Sequence, residues 1–330
     1  MNQFTFDSIN WLQGTFGNES RPFFDFFSFW GGPTGWLLVG ALVFWLSGSR
    51  AGLRVGFSAS IAGITNTLLK WSFALPRPYY LTDEVHAMKA SDGLGMPSGH
   101  AQGVTGLWAA VAYSIRRWWC IALASLFILC TGTARVYYGV HSPLQVVVGW
   151  GLGLLVVVFV VLFEAPVVRW CRSKSPGVQF TGALAIGVMI LVLGFAISKG
   201  WRGDFQTHAT WESNWQATAE RISSEEDEEI EDFRLIEPES SVTLACYFLG
   251  FAFCGLLLLR IGDICPSSVA HRCANVVLGV PLLAVLVLVT SYIADLVGET
   301  AAEALLSLTV PTVVGIVLPT LTGRFFRETV

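Results

Sequence analysis

The residues of this chain that can do chemistry gather in three short stretches: "KWSFALPRPYY" from Lys70, "GMPSGHAQ" from Gly95 and "ARVYYGVHSPLQVVVGW" from Ala134. Together they hold three cations (Lys70, Arg77 and Arg135), two histidines (His100 and His141) and serines placed to begin helices at Ser98 and Ser142. Cations and unpaired helix N–H groups bind oxyanions. Of two imidazoles near such an anion, a neutral one can attack the central atom while a protonated one delivers a proton to the leaving oxygen. The chemistry these residues suit is phosphoryl transfer, where fixed positive groups meet the charge on three equatorial oxygens.

Taken singly, each stretch has an ordinary explanation: snorkelling for Lys70 and Arg77, a capped helix start for Ser98 with His100 incidental, and a ring bound to backbone for His141. Position sets them apart. Pro76 and Pro78 disfavour a continuing helix, so Lys70 belongs to a helix end and Arg77 to an extended or turning segment. Ser98 is placed as an N-cap, and Gly99, without a Cβ, lets an anion approach the backbone. Ser142 and Pro143 form a second N-cap and first-turn pair directly after His141.

The elements that carry these residues are membrane helices. The chain has 330 residues, 53% of them hydrophobic and 13% charged, with net charge −4 and a mean hydropathy of +0.59. That composition points away from a water-soluble globule and from a nucleic-acid partner. Nine apolar runs recur near residues 34–48, 53–71, 101–115, 119–138, 143–163, 180–198, 242–260, 274–294 and 303–322, each read as a spanning helix. If Arg50 and Arg54 mark a cytoplasmic loop, alternation places eleven of the twenty basic residues inside, with the N-terminus outside and the C-terminus cytoplasmic. The same alternation brings Lys70, Arg77, Ser98, His100, Arg135 and His141 to one outer face.

The Phe- and Trp-rich residues 1–32 read as a segment lying at the membrane interface, without the pattern of a cleavable signal peptide. The seven cysteines show no metal-ligand spacing, and neither a metal site nor a disulfide framework is expected. Between the sixth and seventh runs, residues 200–241 carry twelve of the twenty-four acids, including "SSEEDEEIED", and read as a solvated outer loop.

With these residues in place, the chain resembles the type 2 phosphatidic acid phosphatase superfamily, which includes glucose-6-phosphatase and the vanadium haloperoxidases. The elements that match are "KWSFALPRP", "PSGH" and "ARVYYGVHSPLQ", and the resemblance covers roughly residues 53–153. It implies that Lys70, Arg77 and Arg135 bind phosphate oxygens with help from Ser98 and the Gly99 N–H. It also implies that His141 is the nucleophile, His100 the general acid, and no metal or other cofactor takes part. Two positions depart from the family pattern: Ala134 replaces a serine, and Gln145 replaces the aspartate that orients the nucleophile. Gln145 admits two readings, a ring-orienting acceptor without charge or the glutamine of an S-x-x-Q capping box. The glucose-6-phosphatase branch is similar in having glutamine there.

The expectation is therefore an all-α polytopic bundle, about nine spans plus an interfacial segment. A phosphatase core would occupy residues 1–174 and a four-span region residues 175–330. The expected activity is metal-independent hydrolysis of a phosphate ester or diphosphate, of lipid type, by way of a phosphohistidine, at the periplasmic face of a bacterial inner membrane. Three alternatives stay open: a sugar-phosphate phosphatase, a lipid phosphotransferase of the same fold, and a silent phospholipid-binding or transport protein.

Overall fold

The computed structural model describes residues 3–204, 209–226 and 233–327. Among these every regular element is helical: α1 (Gln3–Phe16), α2 (Arg21–Trp30), α3 (Pro33–Ser47), α4 (Ser49–Phe73), α5 (Pro78–Leu81), α6 (Gly99–Ile115), α7 (Trp118–Tyr137), α8 (Pro143–Ser173), α9 (Pro176–Asp204), α10 (Ala209–Glu226), α11 (Ser240–Ile261), α12 (Val269–Val297), α13 (Glu299–Thr312) and α14 (Leu318–Arg327), with a π turn at Val313–Val317 before α14. The protein is an all-α polytopic bundle.

Eight of the nine apolar runs each lie essentially on one helix, and the ninth, 303–322, runs through α13 and the π turn into α14. Six helical segments are long and apolar enough to cross a membrane, or seven if residues 18–30 and 33–47, bent by 58°, form one broken span. The two runs outside that set, α4 and α6, have a physical reason to differ. α6 has only 17 residues and packs against α4, α7 and α8. α4 buries Ser58, Ser60 and Asn66 among neighbours that include α6, α8, α9 and α11. Helices enclosed by other helices do not need an apolar surface facing lipid.

The close approach of α6 and α8 requires small residues: a Cβ on Gly153 would stand 2.5 Å from the Gln102 carbonyl oxygen, and one on Gly149 would stand 2.8 Å from that of Ser98. Aromatic pairs fix the other contacts. Trp108 of α6 stacks on Phe127 of α7 at 4.4 Å, and Phe24 of α2 stacks on Tyr137 at the end of α7 at 4.2 Å. Such pairs add about 0.5–1.5 kcal/mol beyond the area they bury. α2 is thereby anchored beside the C-terminal end of α7, where Arg135 lies.

The segment read as a solvated acidic loop contains a packed helix. α10 buries Trp211, Trp215, Ala219 and Ile222, packs on α5, and Asn214 donates to the Tyr80 carbonyl at 3.1 Å. Part of the acidic run, residues 227–232, lies outside the described residues.

Candidate active site

The ends of five helices carry the candidate residues. Lys70 is in the last turn of α4, Arg77 is the extended N-cap of α5, Ser98 caps α6, Arg135 is in the last turn of α7, and His141 immediately precedes the Ser142 N-cap of α8. The sequence places each of these correctly because local rules govern them. Helix-disfavouring prolines flank Arg77, and serines begin α6 and α8 with side chains that accept from Ala101 N–H and Gln145 N–H.

His141 is buried, 2% exposed, and its hydrogen bonds define its tautomer. Nδ1 faces two acceptors, the Gly95 carbonyl at 2.9 Å and Gln145 Oε1 at 3.1 Å. Nε2 faces a donor, Arg77 Nη1, at 3.2 Å. The assignment of the Gln145 amide is itself fixed, since Oε1 accepts from Ser142 N–H at 3.1 Å and Nε2 donates to the Pro76 carbonyl at 2.9 Å. Nδ1 therefore carries the hydrogen, and the Nε2 lone pair points toward the guanidinium. Burial first, then the charges of Arg77, Arg135 and Lys70, hold the imidazolium form of His141 far below the usual histidine range, against a smaller opposite push from Gln145. The ring is neutral near pH 7, the form a nucleophile needs.

Both readings of Gln145 hold at once, because the capping box is formed while the same Oε1 accepts from His141. An aspartate here would lack the N–H group that Pro76 O receives. No residue pattern points to the Gly95 carbonyl, the second acceptor for the ring. Gly95 itself is required by space, since a Cβ there would lie 2.4 Å from Pro76 O. Because Gly95 O remains when Gln145 is removed, Gln145→Leu is expected to lower kcat by about 10- to 100-fold rather than abolish it, with KM little changed. Steady-state kinetics on the purified variant measures that split.

Arg77 is 5% exposed and braces the loop before α6. Its Nε donates to the Asp92 and Gly93 carbonyls, both at 3.1 Å, Nη2 donates to Asp92 O at 2.5 Å and Nη1 to Val140 O at 3.3 Å. Arg135, equally buried, donates from Nη1 to Ser28 Oγ at 3.2 Å, and its Nε has no partner. Among the described residues no carboxylate pairs with Lys70, Arg77 or Arg135. Three cations brought together with no carboxylate at ion-pair distance suit an anionic guest.

His100 lies against the corner between α2 and α3, where a Cβ on Gly31 would come within 3.2 Å of its Cδ2. Together with Arg135, it lines a cleft of about 650 Å³. Ala134, where the family pattern has serine, is fully buried in the cluster that contains Phe24 and Tyr137. Two further polar residues support the site without having been singled out from sequence. Asn66 donates to Pro97 O at 3.3 Å and to Gln102 Oε1 at 2.9 Å, and Gln102 donates to Thr65 Oγ1 at 2.8 Å. The signal was available: Asn66 stands one helical turn before Lys70 in an apolar run, and a buried amide there needs a partner.

Two histidines, and three cations without a carboxylate ion-pair partner among the described residues, thus lie at the ends of these helices. Residues 51–169 match the family described as the PAP2 superfamily. All the site residues named from sequence fall inside the match. An undecaprenyl-diphosphatase from Sulfolobus acidocaldarius is 31% identical over 132 residues, which are 39% of this chain and 63% of that relative's length. No solved structure matches the chain significantly.

Proposed function

We propose that this protein is an integral-membrane phosphatase that removes a phosphoryl group from a lipid phosphate or diphosphate through a phosphohistidine on His141. The observation that carries the reading is the His141 ring, held as the Nδ1–H tautomer by Gly95 O and Gln145, with its Nε2 facing buried cations that have no carboxylate partner.

In the reaction, Nε2 attacks phosphorus as the bond to the leaving oxygen breaks, and that oxygen takes the bond's electron pair together with a proton from His100. The negative charge of bound substrate favours the protonated form of His100. Lys70, Arg77, Arg135, Ser98 and the Gly99 N–H hold the equatorial oxygens. Neutral His100 then takes a proton from water, whose oxygen attacks phosphorus. The P–N bond breaks, its electrons return to Nε2, and inorganic phosphate leaves. Metal independence belongs to the same proposal. It is supported by the cations, which supply the charge a metal would bring, and by the lack, among the described residues, of a grouping of three His, Cys, Asp or Glu side chains that could ligate one.

A lipid substrate is supported by the apolar helices around the site and by similarity to an undecaprenyl-diphosphatase. Residues 1–174 would form the catalytic core and residues 175–330 a membrane region packed on α3 and α4. An outward-facing site is supported by the basic bias and by Arg50 and Arg54 at the opposite end of α4. There they pair with Glu164 at 2.7 Å each, while Lys70 stands at the site end.

The test is phosphate release from polyprenyl diphosphate and phosphatidate by purified protein in detergent, with and without chelator. The expected result is free phosphate equal to substrate lost, unaffected by chelator and inhibited by vanadate, which mimics five-coordinate phosphorus. Phosphate recovered only on an alcohol acceptor would instead make the protein a transferase, and intact substrate would make it a binder.

A further inference from the structure

The cleft that holds His100 and Arg135 extends beyond the family match to Arg21 and Ser28 of α2 and Thr34 of α3, and Lys89 of the loop before α6, inside the match, lines it with them. Thr34 lies in the first turn of α3, whose Gly32 N-cap offers no side-chain cap. Arg21, Lys89, Arg135 and the carboxylate Asp25 all line it, with Arg21 Nε 3.7 Å from Asp25 Oδ2. Lys89 Nζ stands 2.7 Å from Asp25 Oδ1 and 4.6 Å from the centre of the Tyr138 ring, which fixes the ammonium at the cleft wall. The pair is about 36% and 41% exposed, and so weakly coupled that the ammonium can turn to a stronger anion. Arg135, whose buried Nε has no partner, also lines the cleft.

His100 and Arg135 belong both to the catalytic pocket and to this cleft, whereas His141, Lys70 and Arg77 do not line it. A leaving group whose oxygen takes its proton from His100 must therefore depart into the cleft. Resting on the proposed phosphatase reaction, we infer that Lys89 and Arg21 form a second anion subsite that holds the phosphate of the leaving group, which makes a diphosphate ester the preferred substrate. His141 then attacks the terminal phosphorus, the bond from that phosphorus to the bridging oxygen breaks, and the bridging oxygen leaves on a phosphate monoester carrying the His100 proton. Charge on that monoester is met by Lys89 and Arg21, with Asp25 as the counter-ion that Lys89 releases.

The experiment compares farnesyl diphosphate with farnesyl phosphate, using full-length protein in detergent. The wild type is expected to prefer the diphosphate, and Lys89→Ala to lower the ratio of kcat/KM values, diphosphate over monophosphate, by about 10- to 100-fold, the loss of one charge-assisted hydrogen bond. Asp25→Asn removes the same ion pair but keeps the cation, and is expected to leave that ratio at or above the wild-type value. Equal losses on both substrates in Lys89→Ala, or a ratio lowered as far by Asp25→Asn, would make the pair a structural tie and overturn the subsite. A wild-type preference for the monophosphate would also overturn it. A wild type inert to both substrates would remove the phosphatase reading and the subsite with it.

Discussion

His141→Ala is expected to lower phosphate release by at least about 10³-fold, the scale on which enzymes lose turnover when a covalent nucleophile is removed. Neither side chain hydrogen-bonded to the ring can substitute. Arg77 Nη1, at 3.2 Å from Nε2, is a permanent cation, and the amide of Gln145 is committed to Ser142 and Pro76. The substitution also strips a donor from Gly95 O, a loss of roughly 1–3 kcal/mol of stability for a buried acceptor. His141→Asn restores a donor to that position without a nucleophile. It is expected to approach wild-type thermal stability yet remain as inactive as the alanine variant, which separates the chemical loss from the structural one.

Arg77→Ala carries the second large effect, and it falls on both activity and stability. Removing a donor that meets transition-state charge costs about 10²–10³-fold in kcat. The same side chain donates to the carbonyls of Asp92, Gly93 and Val140; Gly93 O keeps the Tyr80 hydroxyl as a donor, and the two orphaned acceptors, at about 1–3 kcal/mol each, would loosen the loop that presents Gly95. A lower melting temperature should therefore accompany the lost turnover. Arg77→Lys keeps the charge but not the planar fork, and one ammonium cannot span the Asp92, Gly93 and Val140 carbonyls together with His141. Kinetics and thermal unfolding in the same detergent read both effects. Full activity in Arg77→Lys would show that the bracing role is wrong.

What the sequence made legible was whatever short-range rules control. Ser98 and Ser142 as caps, Arg77 beyond the helix end and the capping box around Gln145 all depend on neighbours within a few residues. The hidden half of the site depends on tertiary contacts. Gly95 O reaches His141 across 46 residues, and Pro76 O reaches Gln145 across 69. Backbone acceptors have no letter in a sequence, so only the folded loop reveals them. The cleft residues Arg21, Asp25 and Lys89 were scattered among an aromatic N-terminal segment and a polar loop, and no spacing rule joins them.

The acidic segment misled for a different reason. Its charge run suggested a solvated loop, although Trp211, Trp215, Ala219 and Ile222 recur at helical intervals and all face inward. Nine apolar runs exceed the six or seven segments long and apolar enough to cross a membrane, because α4 and α6 sit among other helices and tolerate polar surface or short length. Asn66 and Gln102 show the same trade: amides placed where lipid would forbid them are held by each other.

The most direct test of the central claim is to quench a single turnover in alkali, which preserves a phosphoryl–nitrogen bond, and to locate the phosphoryl group by mass spectrometry. A phosphoryl group on His141, labile to acid and missing from His141→Asn, is the predicted result. Turnover retained in His141→Asn, or a phosphoryl group trapped on a different residue, would contradict it.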